Sequence, residues 1–362
     1  MRCILLYILL LILFSLFSYV FIDPNLIYLK DVFTNFAFQQ RELTAFIYTA
    51  VVLLLFLSFY FIYKNPNLNF KNIRNLILLT AFILIFSYPA ALSYDIFNYM
   101  ATAKVTFHYQ ENPYVIYPIE FSRDPHLLFT RAANKTALYG PFWILLTFIP
   151  FSVGFGNFLL TLLSFKLFIA LFYLGTVYLI WRLSNKSLNS VIFFALNPLV
   201  VIETLVSSHN DIVMVFFALL SFYLVRTKRI FSTLALVGSI LIKFATIFLL
   251  PVYLLYLFKK IKTEKIYMYA AVSMFIVFLL SPLREELYPW YAIWFLSFIS
   301  LAPKKEKLKE LLIFFSLGLA LRYVPYIWSG SYFGTTPFVR NILMAAPPLL
   351  YLSTLWLKRI YR

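Results

Sequence analysis

Asp95 stands at the end of a long apolar stretch and opens the segment SYDIFNYMATAKVTFHYQENPYVIY, residues 93–117. A carboxylate beside lipid is costly, so it is either a helix-end acid solvated by interfacial water or a group that does chemistry. At a lipid and water boundary its pKa is expected to be raised, which suits a general base that takes a proton from a hydroxyl. A second polar group, SSHND at residues 207–211, interrupts another apolar region and brings His209, Asn210 and Asp211 to the start of an apolar helix. This triplet suits capping of the helix's free amides. It equally suits an anion site, since a helix N-terminus with a histidine beside it attracts negative charge.

Lys166, Lys243 and Arg322 lie inside apolar segments, where snorkelling accounts for a cation near an end better than for one in the middle. Lys243 is the strongest candidate for a phosphate contact. Lys166 and Arg322 serve equally as partners for buried acids such as Glu203. Tyr288, Pro289, Trp290 and Tyr291 open another helix; they suit an aromatic interface belt or, beside a polar site, a surface that stacks on a sugar ring or walls off a lipid chain. His108, His126 and His209 show no metal-binding helix spacing, and Cys3 is the only cysteine, so no protein-bound transition metal is expected. No glycine-rich phosphate loop is present.

The elements that position these residues are membrane helices. The chain is 63% hydrophobic and 12% charged, against about 25% charged for a soluble domain, which makes it an all-α polytopic membrane protein. The net charge of +17 is spread over short connectors with no continuous basic face, so it reports topology and not nucleic-acid binding. Apolar segments lie near 3–22, 45–63, 73–92, 157–181, 189–206, 209–225, 230–258, 266–281, 288–302, 310–328 and 340–357, with a short one at 139–153. Ten to thirteen helices are expected. Connectors carrying Lys64, Lys71 and Arg74, then Arg226, Lys228 and Arg229, then Lys259 to Lys265, then Lys304 to Lys309, and the C-terminal Lys358, Arg359 and Arg362, are expected to be cytoplasmic. The acid-bearing connectors with Asp23, Asp31 and Glu42, with Asp95, Glu111, Glu120 and Asp124, and with Glu285 and Glu286 then face outward.

Parity requires residues 139–181 to cross an odd number of times, so 139–153, bracketed by Pro141 and Pro150, is expected to dip in without crossing. Residues 230–258 are too long for one span and are expected to form a re-entrant pair with Lys243 near the turn. The whole chain, 1–362, reads as one domain: an N-terminal helical hairpin over 1–75, an outer loop over 93–138 with interfacial helices, and a bundle over 139–362. No internal repeat is visible.

Five blocks follow one another in order: SYDIFNYMATAKVTFHYQENPYVIYP, LYGPFWILL, FALNPLVVIETLVSSHND, LIKFATIFLLP and YPWYAIWFL. In these blocks, over roughly residues 90–300, the chain resembles the polyprenol-phosphate-mannose-dependent α-1,6-mannosyltransferases and their relatives in the GT-C superfamily. The resemblance implies a plasma-membrane glycosyltransferase that takes a hexose, mannose first among candidates, from a polyprenyl- or dolichyl-phosphate donor. The acceptor is a glycan or glycolipid on the extracytoplasmic side, and the C-terminus is cytoplasmic.

On the family pattern the catalytic carboxylate falls on Asp95, a substrate-binding element on Asn112, Pro113 and Tyr114, the HND element on His209, Asn210 and Asp211, and a basic residue of the following hairpin on Lys243. The implied reaction is inverting, with Asp95 as base. Lys243, His209 and Arg340 face the leaving phosphate, Asp211 and Glu203 orient the sugar or the cations, and Trp290 and Tyr291 join the substrate site. No cofactor is implied, and dependence on a divalent cation is left open. The competing class is a lipid-linked saccharide flippase, whose repeated halves this sequence lacks. A GT-C enzyme using another sugar or a protein acceptor is the nearer rival.

Overall fold

The computed structural model describes residues 2–22, 36–89, 92–121, 123–126, 130–260, 263–283, 286–303 and 305–360. Asp23, Asp31, Lys262, Glu285, Lys304 and Arg362 of the topology argument lie outside the described residues. Among the described residues there are helices and turns and no strand. The helices are α1 Arg2–Ser18, α2 Phe36–Gln39, α3 Arg41–Tyr63, α4 Phe70–Ile85, α5 Asp95–Phe107, α6 Pro141–Val153, α7 Phe158–Leu183, α8 Leu188–Ala195 and α9 Pro198–Val201. They continue as α10 Asp211–Leu224, α11 Arg229–Ile242, α12 Leu250–Leu257, α13 Thr263–Leu280, α14 Ala292–Ser300, α15 Glu306–Leu321, α16 Val324–Ser329 and α17 Thr336–Ile360.

Among the described residues six helices are long and apolar enough to cross a membrane: Arg2–Phe21, Arg41–Tyr63, Phe158–Leu183, Lys265–Leu283, Glu306–Ser329 and Thr336–Lys358. A seventh span results if α8 and the stretch Pro198–Val206, bent 54° from it, are counted together. α6, α10, α11 and the Phe244–Leu257 stretch are apolar but shorter. α6 starts at Pro141 but is not bracketed by Pro150, which lies inside it; its 13 residues reach only about 20 Å against a hydrocarbon core of about 30 Å. This corrects the expected ten to thirteen transmembrane helices: among the described residues six or seven segments have spanning length, because breaks such as those at Pro198 and Lys243 and the early end of α4 at Ile85 divide or shorten the other apolar runs. Lipid enforces this helical economy, because a backbone amide without a partner there costs several kcal/mol.

The breaks place the polar residues. Pro198 cannot continue α8, and Asn197 caps α9 by accepting from Leu199 N at 3.0 Å. A π-helix over Ile202–Val206 follows and carries Glu203. Ser208 then adopts a left-handed backbone, φ 59°, uncommon for a residue with a side chain, and the chain turns into α10. α11 ends where Lys243 becomes extended, before a short 3-10 stretch, Phe244–Leu249, and α12. Lys243 thus stands at a break between two short helices, where the turn was expected.

α5 is buried along most of its length and packs on α6 and α7. The loop beyond it is tied back by Asp124, which pairs with Lys104 at 2.6 Å and accepts from Tyr109 Oη and His126 N. Burial raises the Asp124 carboxyl, but the Lys104 ammonium and these hydrogen bonds outweigh it and hold it below its usual range.

Candidate active site

Asp95 opens α5, and its carboxylate faces the segment between the π-helix and α10. Its Oδ2 lies 3.3 Å from His209 Nδ1, and the other ring nitrogen, Nε2, lies 3.4 Å from Glu203 Oε2. His209 and Glu203 are wholly buried, whereas the Asp95 side chain is 30% exposed. The imidazole therefore bridges an accessible carboxylate to an inaccessible one. Both contacts have ion-pair distances without aligned hydrogen-bond geometry. Glu203 Oε1 accepts from Tyr323 Oη at 2.8 Å, which fixes the far end of the row. The His209 ring stacks on Trp290, with centroids 4.0 Å apart and planes at 17°, and Trp290 stacks on Tyr288 at 4.4 Å.

Burial lowers the His209 pKa, but two flanking carboxylates outweigh it and raise the imidazole to about 9. The same ion pair acts in reverse on Asp95. Burial raises its carboxyl, while the His209 and Lys243 charges outweigh that and leave it lowered. This corrects the expectation of a raised Asp95 pKa: burial among protein groups does desolvate the acid, but two cations stand close enough to reverse the sign. Asp95 is accordingly held in its ionised form at neutral pH.

A second polar group adjoins the first. Asp211, wholly buried in the first turn of α10, takes Lys243 Nζ at 2.9 and 3.1 Å and Trp294 Nε1 at 2.6 Å. The Lys243 ammonium also lies over the rings of Tyr291 and Trp294, at 4.7 and 5.6 Å, a cation–π arrangement. Asn210 is the residue before α10 but makes no side-chain cap. Its backbone N donates to Tyr99 Oη at 3.1 Å, and both polar atoms of its buried side chain lack a partner. The capping role expected of this triplet is therefore not what Asn210 and Asp211 do, because the Asp211 carboxylate is taken by Lys243 and Trp294.

Asp95, Glu203, His209, Asn210, Asp211, Lys243, Trp290 and Tyr291 thus come together as one connected set. Arg340 pairs instead with Glu286 at 2.5 Å. Asn112 accepts from Tyr114 N and shapes an exposed turn, and Tyr114 Oη donates to Tyr139 O, whose ring meets Tyr99 edge to face. These two stand behind the site, reaching it only through Tyr139 and Tyr99.

Lys166 and Arg322 are not the partners of Glu203. Lys166 donates to Ser87 Oγ, Leu205 O and Val206 O at 2.9–3.2 Å, satisfying carbonyls at the end of the broken helix that has no next turn to bond them. Arg322 takes Glu286 and Asn341. Sequence reasoning missed Tyr323, Tyr99 and Trp294. Trp294 follows Tyr291 by three residues and so shares its helix face, a spacing that could have revealed it; Tyr99 and Tyr323 carry no such signal. Among the described residues no group of three or more His, Cys, Asp or Glu side chains is placed to hold a metal ion.

A family model described as alpha-(1->6)-mannopyranosyltransferase, N-terminal domain, matches residues 8–259, more than half of the chain and every polar residue from Asp95 to Lys243. The chain belongs to the alpha-(1->6)-mannopyranosyltransferase family. No curated protein and no solved structure matches it. In this mannosyltransferase the matched part supplies the carboxylates, His209 and Lys243, while Trp290, Trp294, Tyr323 and Arg340 come from the helices after it.

Proposed function

We propose that this membrane mannosyltransferase moves mannose from a polyprenyl- or dolichyl-phosphate donor to a hydroxyl of a glycan or glycolipid, at an extracytoplasmic site of the plasma membrane, with inversion at the anomeric carbon. The observation that carries the reading is the row Asp95, His209, Glu203, in which one accessible, ionised carboxylate is aligned by a buried cation. Asp95 accepts the proton of the acceptor hydroxyl as its oxygen bonds to the anomeric carbon. The bond from that carbon to the phosphate oxygen breaks, and the electron pair leaves with the lipid phosphate. An α-linked product formed by inversion requires a β-linked donor.

Because the Asp95 carboxyl is lowered, it is a weak base toward a resting hydroxyl. Proton transfer then completes late, when the attacking oxygen has become acidic. Lys243 and Arg340 are the cations for the departing phosphate, a role in which pre-oriented charge in a water-poor site is most effective. Lys243 is held for it by Asp211 and by the faces of Tyr291 and Trp294. Trp290, Tyr291, Asn210 and Asp211 line the sugar side, with Asn112 and Tyr114 supporting it from the loop.

The test is transfer of radiolabelled mannose from polyprenyl-phosphate mannose to a mixture of glycan acceptors by purified wild-type and Asp95→Asn protein. Transfer by the wild type and a loss of about 100-fold or more in the variant support the reading. Equal rates remove Asp95 as base. Absence of transfer by both, with movement of a lipid-linked saccharide across liposomes, favours a flippase.

A further inference from the structure

Arg322 and Arg340 converge on one carboxylate. Arg322 Nη2 and Arg340 Nη1 lie 3.2 and 2.5 Å from the same oxygen, Glu286 Oε1. The two guanidiniums are almost wholly buried, and Glu286 is 35% exposed. Arg322 also donates to Asn341 Oδ1 at 3.0 Å. Two permanent positive charges thus face one negative charge, and among the described residues no second acid pairs with either arginine. Nε of both arginines is buried and has no acceptor. Uncompensated buried charge is expensive, and a guanidinium with open donors is matched by the oxygens of a phosphate. Lys243 differs, because Asp211 already balances it one to one.

Position narrows the ligand. Arg322 follows α15, and Arg340 lies in the second turn of α17, at the helix ends opposite Lys305–Lys309 and Lys358. From Arg340 onward α17 carries exposed Ile342, Leu349, Leu350 and Trp356, so an apolar chain attached to the anion can run along it without entering water. The cluster is also joined to the candidate active site from both sides. Tyr323, next to Arg322, donates to Glu203, and Trp290, shortly after Glu286, stacks on His209.

We infer that Arg322 and Arg340 hold the phosphate of a lipid phosphate, with Glu286 setting how much negative charge the pair accepts. A phosphodiester carries one negative charge, which together with Glu286 neutralises the two arginines. The inference rests on the lipid-phosphate donor proposed above and adds Arg322 and Glu286 to the residues that read it.

The experiment measures binding of farnesyl phosphate, farnesol and inorganic phosphate to the purified full chain through its tryptophan fluorescence, with thermal unfolding as the folding check. Wild type is expected to bind farnesyl phosphate and to ignore farnesol. Arg322→Gln and Arg340→Gln each weaken binding by about tenfold or more, the size of a lost charge-assisted hydrogen bond. Glu286→Gln tightens it, because the pair then carries two uncompensated charges toward a phosphate of about −1.5 to −2. A merely structural ion pair would not give that opposite sign. Should the arginine variants fail to fold, Glu286→Gln decides: unchanged or weaker binding overturns the inference. Inorganic phosphate binding as tightly as farnesyl phosphate overturns the lipid assignment. Unaltered affinity in folded arginine variants sinks the site and removes Arg340 from the donor phosphate, leaving the transferase reading to stand on Asp95 and Lys243, whereas normal binding without any mannose transfer sinks that reading and leaves the site.

Discussion

His209 Nδ1 lies 3.3 Å from Asp95 Oδ2 although the two residues come from different helical segments far apart in the chain. With Glu203 on its other nitrogen, the imidazole is the cation between two acids, and its pKa is raised to about 9 despite burial. A raised histidine contributes stability that is fully present below its ordinary value of 6.5 and lost as pH rises through about 9. Mannose transfer and the unfolding temperature are therefore expected to fall together between pH 8 and about 10. In His209→Gln the alkaline decline should disappear while the rate at neutral pH is already low. An alkaline decline that survives the substitution would assign it to another group.

Tyr323 is the far anchor of the same row. Tyr323→Phe removes the hydroxyl that donates to Glu203 Oε1 and leaves a wholly buried carboxylate with His209 alone. The cost is expected to be about 1–3 kcal/mol in stability, with a larger effect on kcat than on KM, because the substitution acts on the alignment of Asp95 through His209. A KM change alone, read from initial rates, would place Tyr323 against substrate instead.

Asp211 and Lys243 form a pair in which only the lysine reaches solvent, with side chains 0% and 26% exposed. Asp211→Asn strands an ammonium and loses the charge on the acceptor of Trp294 Nε1. Breaking a buried pair costs about 3–5 kcal/mol, reduced to about 2–3 by the partial exposure of Lys243. The double variant Asp211→Asn, Lys243→Met should recover much of the unfolding temperature and none of the transfer. Recovery of both would show that the pair is structural only.

Much of this was legible because its causes are local. The apolar runs, the break at Lys243, the short α6 opened by Pro141, and the polar interruption at Ser207–Asp211 are all written in residue type, although α6 continues through Pro150 to Val153 and the 73–92 run is helical only over Phe70–Ile85. Pairing was not legible. Asp95 meets His209, Glu203 meets Tyr323 and Arg340 meets Glu286 only because helices distant in sequence are packed together. The lowered Asp95 carboxyl shows the consequence: its isolated position predicts desolvation correctly, but the sign of the shift is set by cations from elsewhere in the fold. The partners of Lys166 were not legible for the same reason, since the carbonyls of Leu205 and Val206 that it satisfies lie at the end of the π-helix that follows α9.

Gly140 reports on that packing directly. It caps the start of α6 beside the break at Lys243, and its N donates to Ile242 O at 3.1 Å. A Cβ at this position would lie 2.0 Å from Leu241 O and 2.7 Å from its carbonyl carbon, both backbone atoms that cannot swing aside. The adjoining Tyr139 carbonyl also accepts from Tyr114, and the Tyr139 ring packs on Tyr99. Gly140→Ala must therefore push the loop before α6 and α11 apart, displacing Lys243 from Asp211. The expected outcome is a loss of about 2 kcal/mol or more in stability and a transfer rate reduced about tenfold even where the protein stays folded, since small misplacements of positioned groups are costly. Gly156, whose Cβ would meet nothing within 4 Å but whose φ is 76°, is the control: Gly156→Ala strains the turn between α6 and α7 and should lower the unfolding temperature without changing the rate per folded molecule. Equal rates for folded Gly140→Ala and wild type would mean that the contact with α11 does not position Lys243.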